Sequence, residues 1–241
     1  MKFSILGKFL TILLTVLFFS PAMVMAKEFK AAVSENPVSN IYVKLLEAMD
    51  EETSHSFDIK ILPPKRCVAL VETGKIDFNL PQTEITDPET LSKLLYEFST
   101  TYTFEVNYVL YYNKNLDIDV DELKNGNPKN YKIETELSQV PLFSFPILSS
   151  TNIESSLLKV NMGRIDGFIY AAAPIEGLLK TLKLDNISKT LFQKYKSKLI
   201  IKKGAKGTEV DRVLSETMKK IKANGKFEEI LGGIMAANSG F

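Results

Sequence analysis

One short phrase occurs twice, and it constrains the fold more than any other feature. Ala69-Leu70-Val71-Glu72-Thr73-Gly74-Lys75-Ile76-Asp77-Phe78 is matched by Leu158-Lys159-Val160-Asn161-Met162-Gly163-Arg164-Ile165-Asp166-Gly167-Phe168. Each reads as an amphipathic helix closed by glycine, which takes the left-handed cap without steric cost. A basic residue, Ile, Asp and the start of a strand follow. The two glycines lie 89 residues apart, too far for a solenoid repeat. The spacing fits two lobes built to one design; the alternative is two unrelated helix–glycine–strand joints.

The sequence around the first copy alternates between the two kinds of element. Phe29–Ser34 reads as a strand. Val38, Ile41, Tyr42, Leu45 and Met49 then fall on one helical face, with Asn36 or Ser39 as its N-cap and Pro37 in the first turn. Phe57, Ile59 and Ile61 alternate with polar residues as a second strand, and Pro63-Pro64 ends it. Strand, helix, strand, helix, strand is the pattern of a parallel sheet flanked by helices. Further on, strands are expected at Val106–Tyr112 and Tyr195–Ile201, with weaker ones at Lys132–Thr135 and Phe145–Leu148. Asn113–Asn130 is read as loop with at most a short helix. Helices are expected from Ile153 behind an Asn152 cap, over Ala171–Leu182, and in two closing segments separated by Asn224-Gly225.

The first 26 residues read as a secretory signal peptide. Lys2 and Lys8 precede an apolar run from Phe9 to Phe19, and Val24-Met25-Ala26 offers a small-residue cleavage site. A membrane anchor is the alternative, but it needs about 20 apolar residues. The expectation is an exported, periplasmic chain starting at Lys27, with no stable membrane insertion after cleavage. Losing Lys2 and Lys8 takes the formal charge from +1 to −1, which offers no surface for nucleic acid. One cysteine and one histidine exclude a disulfide scaffold and a two-cysteine zinc site, and leave little room for a His-based triad or metal cluster. No cofactor and no metal is expected.

In this order, several motifs resemble the family 3 periplasmic solute-binding proteins, the receptors of polar amino-acid uptake systems. The carriers are Pro64-Lys65-Arg66 leading to Gly74-Lys75-Ile76-Asp77, Ile85-Thr86, Phe98-Ser99 with Tyr102, Gly163-Arg164-Ile165-Asp166, and the closing run from Met218 to Gly225 and Ile230. The resemblance implies an α/β, two-lobed periplasmic-binding-protein fold, each lobe a mostly parallel sheet flanked by helices, the two joined by a two-strand hinge. Lobe 1 would comprise 27–111 plus 194–241, and lobe 2 112–193. The implied function is capture of a small molecule between the lobes, by a monomer that delivers it to an ABC-type permease. A membrane sensor is the second partner considered, and a dehydratase-like enzyme the third reading.

Three departures from the family stand out. Its amino-acid-binding members grip the α-carboxylate with an arginine shortly after the Ile-Thr motif, because a guanidinium fork fits a carboxylate. Here Thr86-Asp87-Pro88-Glu89-Thr90-Leu91 has none. The aspartate that holds the α-ammonium is replaced at Ala171, and Glu136-Leu137-Ser138 lacks the glycine of the donor turn. The expected ligand is therefore a small polar or aromatic solute other than a standard α-amino acid.

Seven candidate ligand-binding residues follow. Glu35 ends the first strand, where open α/β sheets present ligand contacts. Arg66 opens a helix against the dipole, so anion recognition competes with a salt bridge. Asn79, Gln82 and Thr83 follow the third strand. Tyr102 and Tyr170 match cleft positions in the resembling family, with Phe104 and Tyr108 as further aromatic walls. For each tyrosine, core packing is the competing reading. Asp77 and Asp166 read as joint residues rather than ligands.

Overall fold

The computed structural model describes residues 26–126 and 129–238. The signal-peptide reading therefore lies, apart from Ala26, outside the described residues. Among these, no helix is long and apolar enough to cross a membrane.

In chain order the elements are β1 (Glu28–Ser34), α1 (Ser39–Asp50), β2 (Ser56–Leu62), α2 (Pro64–Glu72), β3 (Phe78–Thr83), α3 (Pro88–Lys93) and β4 (Tyr96–Asn113). Then come α4 (Val120–Lys124), β5 (Ile133–Glu136), a 3-10 helix (Leu137–Leu142), β6 (Leu148–Ser150), α5 (Ile153–Asn161), β7 (Gly167–Ala171) and α6 (Ala172–Leu182). β8 (Ile187–Lys202), α7 (Glu209–Ala223) and α8 (Lys226–Asn238) close the chain. The strands form one mixed sheet in the order β2-β1-β3-β8-β4-β7-β5-β6. A parallel trio stands at each end: β2-β1-β3 (Phe29 opposite Phe57, Ala31 opposite Phe78) and β7-β5-β6 (Ile133 opposite Gly167, Glu134 opposite Leu148). Between them run the antiparallel β4 and β8, paired from Tyr96 opposite Lys202 to Asn113 opposite Ile187. Each trio with its helices is a lobe, and the two long strands are the connection.

The repeated phrase is one structural joint built twice. Gly74 (φ +68°) and Gly163 (φ +69°) end their helices in the left-handed region. The N–H of Lys75 bonds the carbonyl of Leu70, and that of Arg164 the carbonyl of Lys159, both at 2.9 Å. The N–H of Asp77 then bonds the Lys30 carbonyl at 2.8 Å, while the Asp77 carboxylate accepts from the Lys30 N–H at 2.7 Å. Asp166 does the same with Lys132, at 2.9 and 2.6 Å. Each aspartate thus fastens the entry of its strand to the neighbouring parallel strand, which fixes register in a sheet. The two joints match hydrogen bond for hydrogen bond.

Two expectations shift. β4 and β8 are much longer than Val106–Tyr112 and Tyr195–Ile201, so that positions 111/112 and 193/194 lie inside them. The extra length of β4 is polar, and its Ser99, Thr101 and Thr103 are buried; the Thr103 hydroxyl donates to the Ser197 carbonyl. A hydrophobic pattern is absent because hydrogen bonds replace it. Helix α1 begins at Ser39 with Val38 at the N-cap and no side-chain cap. Asn36 and Ser39 instead tie the preceding turn: the Asn36 side chain accepts from the Val38 N–H at 2.9 Å, and the Ser39 hydroxyl accepts from the Asn36 N–H at 2.7 Å.

Helices α1, α7 and α8 cover one face of lobe 1, burying Leu45, Met49, Leu214, Ile221 and Leu231 in a core that continues along β4 and β8 into lobe 2. Cys67 and Val71 of α2 pack on the other face. Lobe 2 adds its own core of Leu157, Val160, Phe168 and Ile175. Gly167 belongs to that packing: a Cβ there would meet Leu110 Cδ1 at 2.8 Å.

Candidate ligand-binding site

The carboxyl ends of the parallel strands from both lobes converge, as open α/β sheets arrange them around a ligand crevice. Ser34 ends β1, Thr83 ends β3, and Ala171 ends β7; all three line one cavity together with Gln139 of the 3-10 helix. Tyr42, Phe104, Tyr108 and Tyr170 supply its aromatic walls. Tyr42 and Phe104 are stacked at 6.5 Å, and Tyr108 meets Tyr170 at 6.2 Å and Tyr195 edge-on at 4.9 Å.

Tyr108, in the middle of β4, links the lobes. Its hydroxyl is 2.7 Å from the Thr83 hydroxyl of lobe 1 and donates to Gln139 Oε1 of lobe 2 at 2.8 Å. With the Tyr108 proton on Gln139, the Thr83 hydroxyl is the donor of the other bond. Gln139 in turn donates to the Ser138 hydroxyl at 2.9 Å. Burial pushes the Tyr108 phenol well above its ordinary pKa, with the neighbouring Tyr170 adding to it. Burial raises the Tyr42 and Tyr170 phenols as well, and pushes Tyr195 up to about 12. The wall is therefore neutral at any physiological pH. The Ser197 hydroxyl also lines this cavity, buried and without a hydrogen-bond partner among the described residues.

No charged side chain lines the cavity among the described residues. Glu136, 7% exposed at the end of β5, is close enough for its charge to add to the burial that raises the Tyr170 phenol. Burial raises its carboxyl, opposed by hydrogen bonds from Ser138 and Leu137. That carboxylate accepts from the Ser138 N–H at 2.9 Å and from the Ser138 hydroxyl. The turn that would offer a backbone donor to an anion is thus occupied by the chain's own carboxylate. The cavity measures about 40 Å³, room for about three water molecules at the minimum each requires.

A second, larger space opens beside it. A groove of about 530 Å³ lies between α2 of lobe 1 and the 3-10 helix of lobe 2, with Gln82 between them.

The seven candidates divide among these surroundings. Thr83 and Tyr170 line the inner cavity, and Gln82 lines the groove. Asn79 is buried in lobe 1, donating to the Ala32 carbonyl and the Ser34 hydroxyl at 3.1 Å each, with its own Oδ1 unpartnered. Glu35 and Arg66 are exposed and line neither space. Tyr102, 39% exposed, lies under Lys222 Nζ (5.2 Å from the ring centre) in a separate depression with Phe227 and Asn238. Asp77 and Asp166 are the joint residues described above. Tyr42, Gln139 and Ser197 were not among the expected site residues. Tyr42 read as a core position of α1, and Gln139 lay in a stretch without periodicity, so neither carried a signal of its own.

The fold has many solved counterparts. A histidine kinase sensor domain with similarity to periplasmic binding proteins matches with a TM-score of 0.69 at 11% identity, over 85% of this chain and 94% of that one. The arginine-, lysine-, histidine-binding protein ArtJ from Geobacillus stearothermophilus matches at 0.65 and 17%, over 84% and 93%. An ancestral amino acid-binding protein described as a precursor of cyclohexadienyl dehydratase matches at 0.63 and 16%, over 85% and 94%. No protein-family model and no curated protein sequence matches the chain. The chain has the two-lobed fold of the periplasmic binding proteins.

Proposed function

We propose that this chain is an exported, periplasmic solute-binding protein, a monomer that captures a small polar or aromatic ligand between its lobes for an ABC-type permease. The observation that carries the reading is the convergence of strand ends from both lobes on one neutral, aromatic-walled cavity. A ligand touching both lobes favours the closed arrangement by its differential affinity for it. The ligand is not a standard α-amino acid. Ala171 stands at the cavity where a carboxylate would hold an ammonium, no guanidinium lines it, and Glu136 occupies the Ser138 donor.

The lobes divide at 27–111 plus 194–241 and 112–193. The shift in β4–β8 pairing between Tyr108 and Val109 supports a flexing point close to the first boundary. Within the cleft, Gln82 contacts the ligand from the groove side, and Thr83 and Tyr170 form the neutral wall at its inner end. Glu35 and Arg66 are assigned to the rim, where they meet solvent or the membrane partner.

A second reading is a periplasmic input domain for a signalling receptor, favoured by the high structural score of the kinase sensor domain. Neighbouring genes separate the two: permease and ATPase for uptake, a kinase or cyclase for sensing. The third reading, a dehydratase-like enzyme, needs a general acid within reach of its substrate; no acid lines the inner cavity among the described residues, and Glu72 lines the groove.

The binding function is tested by a thermal-shift screen of organic acids, amines, nucleobases and peptides. At least one solute class is expected to raise the melting temperature, with about 2.7 kcal/mol of stabilisation at a hundredfold excess over Kd. A chain that no class stabilises is not a solute receptor.

A further inference from the structure

We infer that the groove between α2 and the 3-10 helix is the solute site proper, and that it takes a neutral aromatic ring carrying an amide-like donor–acceptor edge. This rests on the reading above of a receptor that holds its solute between the lobes. The inner cavity, at about 40 Å³, is filled by the protein's own aromatic side chains and leaves no room for a ring. The groove, at about 530 Å³, lies within the usual range of small-molecule sites.

Its chemistry selects the occupant. Val68, Ala69 and Leu94 from lobe 1 face Val140, Pro141 and Ile147 from lobe 2, so a flat apolar body is desolvated on both sides and bridges the lobes. Lys65 and Glu72 stand on the same helix at its wall, and their opposite charges favour neither anion nor cation. Gln82 is 4% exposed and lines the groove. A side-chain amide both donates and accepts, and a ligand presenting one N–H and one carbonyl oxygen side by side matches both ends of it.

The test titrates the mature chain with 2-quinolinone, a neutral bicyclic lactam, while amide shifts are followed by NMR. Shifts are expected at Ala69, Gln82 and Val140. Ala69→Phe, on an exposed helix position, fills the groove and is expected to raise Kd at least tenfold. Gln82→Met keeps the length of the side chain and is expected to raise Kd about tenfold for 2-quinolinone but not for 2-methylnaphthalene, which has neither donor nor acceptor. Absence of 2-quinolinone binding at millimolar concentration overturns the inference. So do shifts centred on Thr83 and Tyr170, or an Ala69→Phe variant that binds like the wild type. The receptor reading survives those results if the thermal-shift screen finds another solute, and falls only if that screen is empty.

Discussion

Replacing Asp211 by alanine is expected to destabilise the protein by about 3–5 kcal/mol, measured by guanidinium unfolding. Asp211 is 1% exposed in the first turn of α7. It accepts from the Ser99 hydroxyl at 2.6 Å, the Thr100 and Gly207 N–H groups at 2.9 Å and the Thr100 hydroxyl at 3.1 Å. One carboxylate therefore ties the beginning of β4 to the loop before α7 and to the positive end of that helix. Its removal orphans the buried Ser99 hydroxyl, at about 1–3 kcal/mol, together with the part-buried N–H groups of Thr100 and Gly207, which water partly recovers. The pH dependence follows. Burial pushes this carboxyl up, but the hydrogen bonds from Ser99, Gly207 and Thr100 outweigh it and hold it below the usual aspartate value. A depressed folded pKa gives stability that is complete above the unfolded value of about 3.9 and is lost as pH falls through the folded one. Between pH 7 and pH 3 the alanine variant should lose less stability than the wild type. Equal losses would mean that Asp211 carries no special share of acid stability.

Tyr108→Phe is expected to cost about 2–3 kcal/mol and to loosen the two lobes. The substitution keeps the ring against Tyr195 and Tyr170 and removes only the hydroxyl that joins Thr83 to Gln139. Two buried polar groups then lose a partner, at about 1–3 kcal/mol each less whatever water recovers. Faster amide exchange across Leu137–Leu142 and a larger radius of gyration by X-ray scattering would show the lobes separating. A variant with wild-type exchange in that helix would mean that Tyr108 packs without latching.

Most of the fold was legible because its signals are local. The doubled glycine–basic–Ile–Asp phrase identified two lobes, and the structure explains the repeat through Asp77 on Lys30 and Asp166 on Lys132. Helix α5 starts where Asn152 was expected to cap it, with that side chain accepting from the Ser155 N–H at 2.7 Å. The long strands were underread because Thr101 and Thr103 are buried by hydrogen bonding rather than by apolarity. The site was harder, since its residues come from distant elements. Gln139, Tyr42 and Ser197 meet only once the lobes are joined. In α2, Cys67 and Val71 take the inward face, which leaves Arg66 about 100° off it and in solvent. In β4, the pairing shifts between Phe98 and Tyr102 and again before Phe104. The first takes up two extra residues and the second one, so only the second changes which face the following side chains occupy, and Tyr102 ends beside Lys222 rather than in the cavity.

The departures at Ala171, at Thr86–Leu91 and at Glu136–Ser138 all bear on the central claim, that the space between the lobes is not made for a zwitterion. Isothermal titration calorimetry of the mature chain against each of the twenty standard amino acids tests it most directly. The expected result is no binding below millimolar concentration for any of them, alongside saturable heat for a solute taken from the thermal-shift screen. Micromolar binding of any one free amino acid would contradict it.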